Sequence, residues 1–230
     1  MGHEDGREGM TDIGEGMSYA VAARRYDPFD GPDDFPTPPW ATRALCEHVL
    51  IDYDLTKQSV WEPACGRGYM SRTLEEYFAQ VTETDLFDYG RGGLCNFLDF
   101  DCDIKKHDWI ITNPPFKHAE KFIRKAFEYA QTGVAMLVRT SFLEGVNRYK
   151  TIFGDFDTRP TIVAQFSERV PMVKGRVDRK ASTATSYCWI VWELERHPTC
   201  VQMDWIEPCR KLLERDDDYE LPTKLIDSRK

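Results

Sequence analysis

The sequence predicts an α/β protein built on a mostly parallel sheet, with an antiparallel strand at its edge and helices on both faces. Three observations predict it. Apolar runs of strand length alternate with longer helix-like segments through the middle of the chain. One such run, Val60-Trp61, passes through Glu62 and a turn of small residues, Pro63-Ala64-Cys65-Gly66-Arg67-Gly68, into a helix. Another, Trp109 to Thr112, leads through Asn113-Pro114-Pro115-Phe116 into a segment with helical apolar spacing.

In chain order, residues 1–33 hold eight acidic and three basic side chains with many glycines. Ordering them would bury little apolar surface, so they are expected to be disordered, with Tyr19 to Arg25 as a candidate interaction segment. A helix is expected over Trp40 to Leu50, a strand over Ser59 to Trp61 and a helix over Met70 to Phe78. Strands follow at Val81 to Thr84 and Trp109 to Thr112. The next helix, His118 to Ala130, aligns Ala119, Phe122, Ile123, Ala126, Phe127 and Ala130 on one face. Val134 to Val138, Thr161 to Phe166 and Thr185 to Trp192 read as strands, the last pairing antiparallel at the sheet edge. Residues 206–230, with the run Asp216-Asp217-Asp218, read as a solvated charged tail. One domain over residues 34–205 between two tails accounts for the 230 residues and their 41% hydrophobic content.

Composition excludes some classes. The longest apolar stretches, such as Gly133 to Val138, are too short for a bilayer span, and the acidic N-terminus lacks a signal peptide's features, so a soluble protein is expected. Seven cysteines without a Cys-x-x-Cys pair suggest neither a disulfide framework nor a metal site, and fit a reducing cytoplasm. The net charge of −9 divides into −5 for residues 1–33, −3 for 34–205 and −1 for 206–230. The nearly neutral body therefore permits a local basic groove for nucleic acid.

The glycine turn lets a ligand approach the backbone, although close packing of helix on strand would also require small residues. A nicotinamide cofactor would need a third glycine where Ser71 stands, and its pyrophosphate would be repelled by Glu62. The ammonium or sulfonium of S-adenosylmethionine (SAM) would be attracted by that carboxylate. Asp85, closing the following strand, can bind ribose hydroxyls in either case.

Asn113-Pro114-Pro115-Phe116 is the strongest signal. An aromatic exocyclic amine is a poor nucleophile because its lone pair is delocalised into the ring. Acceptors on both amine hydrogens favour a pyramidal nitrogen, and the Asn113 side-chain oxygen and Pro114 carbonyl can be those acceptors. Consecutive prolines bias Asn113 and Pro114 away from helical dihedrals and hold the carbonyl outward. Phe116 can stack on a target base flipped out of a duplex. Later in the chain, Arg169 to Lys180 carries five cationic residues against one acid, so Lys174, Arg176, Arg179 and Lys180 are candidate phosphate contacts, or a mobile solvated loop.

These motifs resemble those of the class I SAM-dependent amino-methyltransferases, which have a Rossmann-like fold. The first motif, Glu62-Pro63-Ala64-Cys65-Gly66-Arg67-Gly68, and Asn113 to Phe116 carry the resemblance, and Phe35-Pro36-Thr37-Pro38-Pro39-Trp40 is similar to the family's N-terminal cofactor motif. The resemblance implies that Glu62, Ala64, Gly66 and Gly68 line the methionine part of SAM, that Thr37 and Pro38 close its carboxylate end, and that Asp85 binds the ribose. It places Asn96, where Asp is common, with Phe97 and Phe122 near the cofactor adenine, and Asn113 between cofactor and substrate. The order of motifs resembles the gamma arrangement, and Arg139 to Gly145 resembles a loop of phage and prophage DNA adenine-N6 methyltransferases. Host cytoplasm is the location implied for a phage-encoded member. Such enzymes usually carry a target-recognition domain, for which 230 residues leave no room. That absence counts against sequence-specific recognition by this chain alone, while Phe116, the motif order and the cationic loop make DNA adenine the expected substrate. RNA adenine and protein glutamine pose the same lone-pair problem, although glutamine enzymes generally have Tyr at the position of Phe116. A non-catalytic binding protein on the same fold is opposed by intact Glu62 and Asn113, and supported only by Asn96.

Overall fold

The structure is a computed structural model that describes residues 33–99, 105–196 and 199–220. The expected disordered segment, with Tyr19 to Arg25, lies outside the described residues except for Asp33. The elements are α1 (Pro39–His48), β1 (Ser59–Glu62), α2 (Tyr69–Leu74), β2 (Gln80–Asp85), β3 (Gly93–Leu94), β4 (His107–Thr112), α3 (Ala119–Tyr129), β5 (Ala130–Arg139), a helical turn α4 (Val146–Arg148), β6 (Ile162–Phe166), β7 (Tyr187–Glu193), β8 (Gln202–Ile206) and α5 (Arg210–Leu213).

The strands form one sheet in the order β3-β2-β1-β4-β5-β7-β6-β8. All neighbours are parallel except β7, which is antiparallel to both β5 and β6. The expected antiparallel strand is therefore present, but it lies inside the sheet with β6 and β8 beyond it. The sheet is mixed and mostly parallel, as the sequence predicts.

Alternation along the central strands makes two cores. Trp109 and Ile111 of β4, Ala135 and Leu137 of β5, and Trp189 and Val191 of β7 join Trp40 and Leu45 of α1 on one face. Ile110, Val134, Met136, Val138, Cys188 and Ile190 face the other way, against Phe122, Ile123 and Ala126 of α3. Strands buried on both sides read as continuous apolar runs, which is why β4, β5 and β7 are visible in the sequence.

Residues 207–220 correct the expectation of a solvated tail. Asp218 is 1% exposed and receives two hydrogen bonds from the Arg43 guanidinium, at 2.9 and 2.8 Å. Arg43 also donates to Glu76 at 3.0 and 2.8 Å and to the Leu213 carbonyl at 2.7 Å, so α1, the turn after α2 and the C-terminal segment share one buried cation. Burial alone would lower the Arg43 pKa, but Glu76 and Asp218 hold it above its ordinary value. Cys95 is disulfide-bonded, a second correction. Cys46, Cys65, Cys188, Cys200 and Cys209 are free.

Among the described residues no helix is long and apolar enough to cross a membrane, and no three His, Cys, Asp or Glu side chains converge as metal ligands.

Candidate active site at the switch of strand order

From β1 the chain moves outward to β2 and β3, then returns to place β4 on the other side of β1. Trp61 is in register with Ile110, so Glu62 and Asn113 emerge at the same carboxyl edge of the sheet. In open α/β sheets this reversal opens a crevice for ligands.

The first wall is the turn after β1. The Cys65 N–H donates to the Thr84 carbonyl at 2.9 Å and the Gly66 N–H to Asp85 Oδ2 at 2.8 Å, which ties the turn to the end of β2. The two glycines serve different needs. Both have positive φ, +50° at Gly66 and +76° at Gly68. A Cβ on Gly68 would stand 2.2 Å from Cδ of Arg91, whose guanidinium is fixed by Glu83 and Glu75 at 2.6 and 2.7 Å. A Cβ on Gly66 would meet nothing within 4 Å, so Gly66 faces open space. Ala64 is half-buried beside it.

Glu62 is 2% exposed, and the Ser71 hydroxyl donates to its Oε2. Burial pushes the Glu62 carboxyl up to about 8 against the opposing effect of the Ser71 bond. The residue that breaks the dinucleotide glycine pattern is thus the partner of the acid. Asp85 accepts from the N–H groups of Gly66 and Phe87 at 2.8 and 2.9 Å. Burial raises its pKa while these backbone donors oppose the rise.

Asn96 is occupied locally: its Oδ1 accepts from the Leu98 N–H at 3.2 Å and its Nδ2 donates to Asp99 at 2.9 Å. Phe97 and Phe122 lie 5.0 Å apart, centroid to centroid, and both are buried. Phe97 also meets Trp61 edge-on at 5.1 Å. These rings belong to the core beneath α3.

The opposite wall is the loop after β4. Asn113 Nδ2 donates to the Phe35 carbonyl at 2.9 Å and lies 3.7 Å from Met172 Sδ. Its Oδ1 is buried and has no partner. The Pro114 carbonyl accepts no hydrogen bond from the described residues, whereas the Pro115 carbonyl accepts from the His118 N–H at 2.8 Å and starts the turn into α3. Phe116 packs against Phe35, with centroids 5.5 Å apart, and carries the Arg139 guanidinium 3.9 Å from its own centroid.

Residues 34–38 strap these parts together. Asp34 accepts from Arg67 at 3.1 Å, and its carbonyl accepts from the Gly175 N–H at 2.8 Å. Thr37 is 3% exposed and its hydroxyl has no partner, while the Pro38 carbonyl accepts from the Ala41 N–H at 2.9 Å to open α1.

The candidate phosphate contacts are unequal. Arg176 is paired with Asp178 at 3.1 Å, and Arg179 with Asp216 at 2.9 Å while lying over the Tyr219 ring. Lys174 and Lys180 are exposed. Within the same loop Val170 and Met172 are buried, Met172 against Asn113. The contributions of Phe35, Ser71, Met172 and Arg139 were not foreseen. The apolar interruption Val170-Pro171-Met172 in a cationic loop was the only sequence sign of an inward-facing segment.

No protein-family model and no curated protein matches the chain. Solved structures do. A protein from Pyrococcus horikoshii described as a candidate RNA methyltransferase is similar at 18% identity and TM-score 0.53, over 76% of this chain and 96% of that one. The methyltransferase subunit of a type I restriction-modification system from Streptococcus thermophilus is similar at 13% identity and TM-score 0.56, over 83% of this chain and 50% of that one. A modification subunit described as belonging to a candidate type I restriction enzyme from Vibrio vulnificus is similar at 16% identity and TM-score 0.50, over 82% and 50%. The chain thus spans about half the length of the two restriction-modification subunits. What it shares with all three is the Rossmann-like methyltransferase fold.

Proposed function

We propose that this chain is a SAM-dependent methyltransferase that methylates the exocyclic N6 amine of adenine in DNA. One observation carries the reading: Asn113 presents a buried, unpartnered amide oxygen at the switch point while its nitrogen is held by the Phe35 carbonyl. Leaving a buried acceptor unpaired costs about 1–3 kcal/mol. Such a group is explained where a ligand brings the donor. An aromatic amine brings two N–H groups, one for Asn113 Oδ1 and one for the Pro114 carbonyl, and engaging both favours the pyramidal nitrogen that can attack. Because the Phe35 bond is already made, the acceptor needs no reorganisation during the reaction.

SAM supplies the electrophilic methyl group when bound. The residues present fit it. Gly66 leaves open space, Thr37 offers an unpartnered hydroxyl, and Glu62 is a buried acid suited to a cationic ligand. Thr37, Ala64, Gly66 and Gly68 would hold the methionine end with Pro38, and Asp85 the ribose. Asn96, Phe97 and Phe122 are assigned to the adenine end, and Phe116 to stacking on the target base.

Phe116 supports adenine, and motif order with the cationic loop Arg169 to Lys180 supports DNA. RNA is the second reading, favoured by the P. horikoshii protein, which is matched over nearly its whole length. Labelled SAM offered with duplex DNA, single-stranded DNA and RNA, followed by mass spectrometry of the nucleosides, tests both. N6-methyladenine in DNA is expected. Methylation of RNA alone overturns the substrate assignment, and no methyl transfer to any of them overturns the enzyme reading.

A further inference from the structure

The guanidinium carbon of Arg139 lies over the Phe116 ring, 3.9 Å from its centre and within cation–π range. Arg139 ends β5, which neighbours β4, so it stands at the same carboxyl edge as Asn113. It is exposed, and its guanidinium donates to no carboxylate or carbonyl among the described residues. Every other described arginine is hydrogen-bonded or ion-paired. Other arginines also lie over rings, but among the described residues Arg139 is the one that does so while keeping all its donors for solvent.

A base can take the face of Phe116 that Arg139 covers only if Arg139 yields. Phe35 is fixed: it packs against the core, and its carbonyl holds Asn113. Arg139 has only the ring to leave. Stacking of a base on an aromatic side chain is stronger than an exposed cation–π contact, so the exchange favours the base. A displaced guanidinium then lies beside a nucleotide whose phosphate accepts the paired N–H donors that Arg139 has not used.

We propose that Arg139 is the group the target base displaces from Phe116, and that its freed guanidinium binds the backbone phosphate beside the extruded nucleotide. This rests on the base-stacking reading of Phe116 given above. Arg139 is then a substrate-binding residue that keeps the aromatic face covered until a polynucleotide arrives.

The test compares the full-length wild type with Arg139→Ala and Arg139→Lys, using SAM and adenine-containing oligodeoxynucleotides over a salt series, with SAM binding by calorimetry as the control for folding. Arg139→Ala is expected to bind SAM normally, to raise KM for the oligonucleotide with kcat within about twofold, and to flatten the dependence of log affinity on log salt by about 0.9 on duplex DNA. Arg139→Lys keeps the charge but not the planar face, so it retains the slope while raising KM. Wild-type KM and salt slope in Arg139→Ala, with methylation intact, would sink this proposal alone. A fall confined to kcat would also overturn it, since that marks a misplaced Phe116 and not a lost phosphate contact. Failure of the wild type to methylate any polynucleotide overturns the base-stacking reading and the proposal together.

Discussion

The carbonyl of Phe35 accepts a hydrogen bond from Asn113 Nδ2 at 2.9 Å, across 78 residues of sequence, and so decides which end of the amide faces the crevice. The oxygen is left buried and unpartnered. Asn113→Ala removes that acceptor without touching the glycine turn. It is expected to keep SAM binding and to lower kcat by about 10²–10³-fold, the usual effect of losing one preorganised polar group. Asn113→Asp places an acceptor against the Phe35 carbonyl, and the carboxylate is repelled unless protonated. Its turnover should therefore recover as pH falls. Loss of SAM binding in Asn113→Ala, or turnover near wild type, would contradict the assigned role.

The two positive-φ glycines should separate by cofactor and stability readouts. At Gly66 a methyl group enters open space, so Gly66→Ala meets only the backbone penalty of about 1–2 kcal/mol while obstructing a ligand on the turn. The expected outcome is a folded protein that no longer binds SAM in calorimetry. At Gly68 the added carbon collides with Arg91, itself held by Glu75 and Glu83, so Gly68→Ala should lower Tm more than Gly66→Ala does. Wild-type affinity for SAM in Gly66→Ala would remove the turn from the cofactor site.

What the sequence disclosed follows from the range of each signal. The apolar spacing of α3 is local, and Ala119, Phe122, Ile123 and Ala126 are all buried. The loops after β1 and β4 are equally local, so Glu62, the glycines and Asn113 could be named in advance. β8 gave no signal because only Ile206 of its five residues is buried, and its pairing with β6 lies in the backbone. The interior position of β7 depends on partners that no run of residues encodes. Asp216-Asp217-Asp218 looks solvated until Arg43, 175 residues from Asp218, is brought beside it. The Arg139–Phe116 and Met172–Asn113 contacts are non-local in the same way.

Burial of Glu62 predicts a pH dependence of definite sign. Its carboxyl is pushed up to about 8 in the folded protein from an ordinary value of 4.5. Between those values the folded state binds more protons at this site than the unfolded state, so its contribution to stability is present at low pH and lost as pH rises toward 8. The Tm of the ligand-free protein should fall between pH 6 and 8.5, and Glu62→Gln, which cannot ionise, should flatten that fall. An equally steep decline in Glu62→Gln would show that another group titrates. A cationic ligand favours the carboxylate, so SAM should reduce the decline in the wild type and not in the variant.

The Arg43 cluster predicts that the C-terminal segment stabilises the fold from a distance. Asp218 is buried and holds both ends of the guanidinium, and removing one member of a buried pair leaves a charge without its partner. Glu76 keeps Arg43 paired, so Asp218→Ala should fall at the low end of the buried-pair range, about 3 kcal/mol. For a chain of this length that is a Tm lower by about 6–12 °C. Asp216 offers the control, because its side chain is fully exposed and meets only Arg179 at the surface. Asp216→Ala should leave Tm unchanged within error, since exposed pairs contribute little. Equal effects from the two substitutions would mean that Arg43 is satisfied by Glu76 and the Leu213 carbonyl alone. The expected inequality ties residues 207–220 to α1, the helix that follows the strap carrying Phe35, so methyl transfer in Asp218→Ala should fail at a lower temperature while remaining normal well below its Tm.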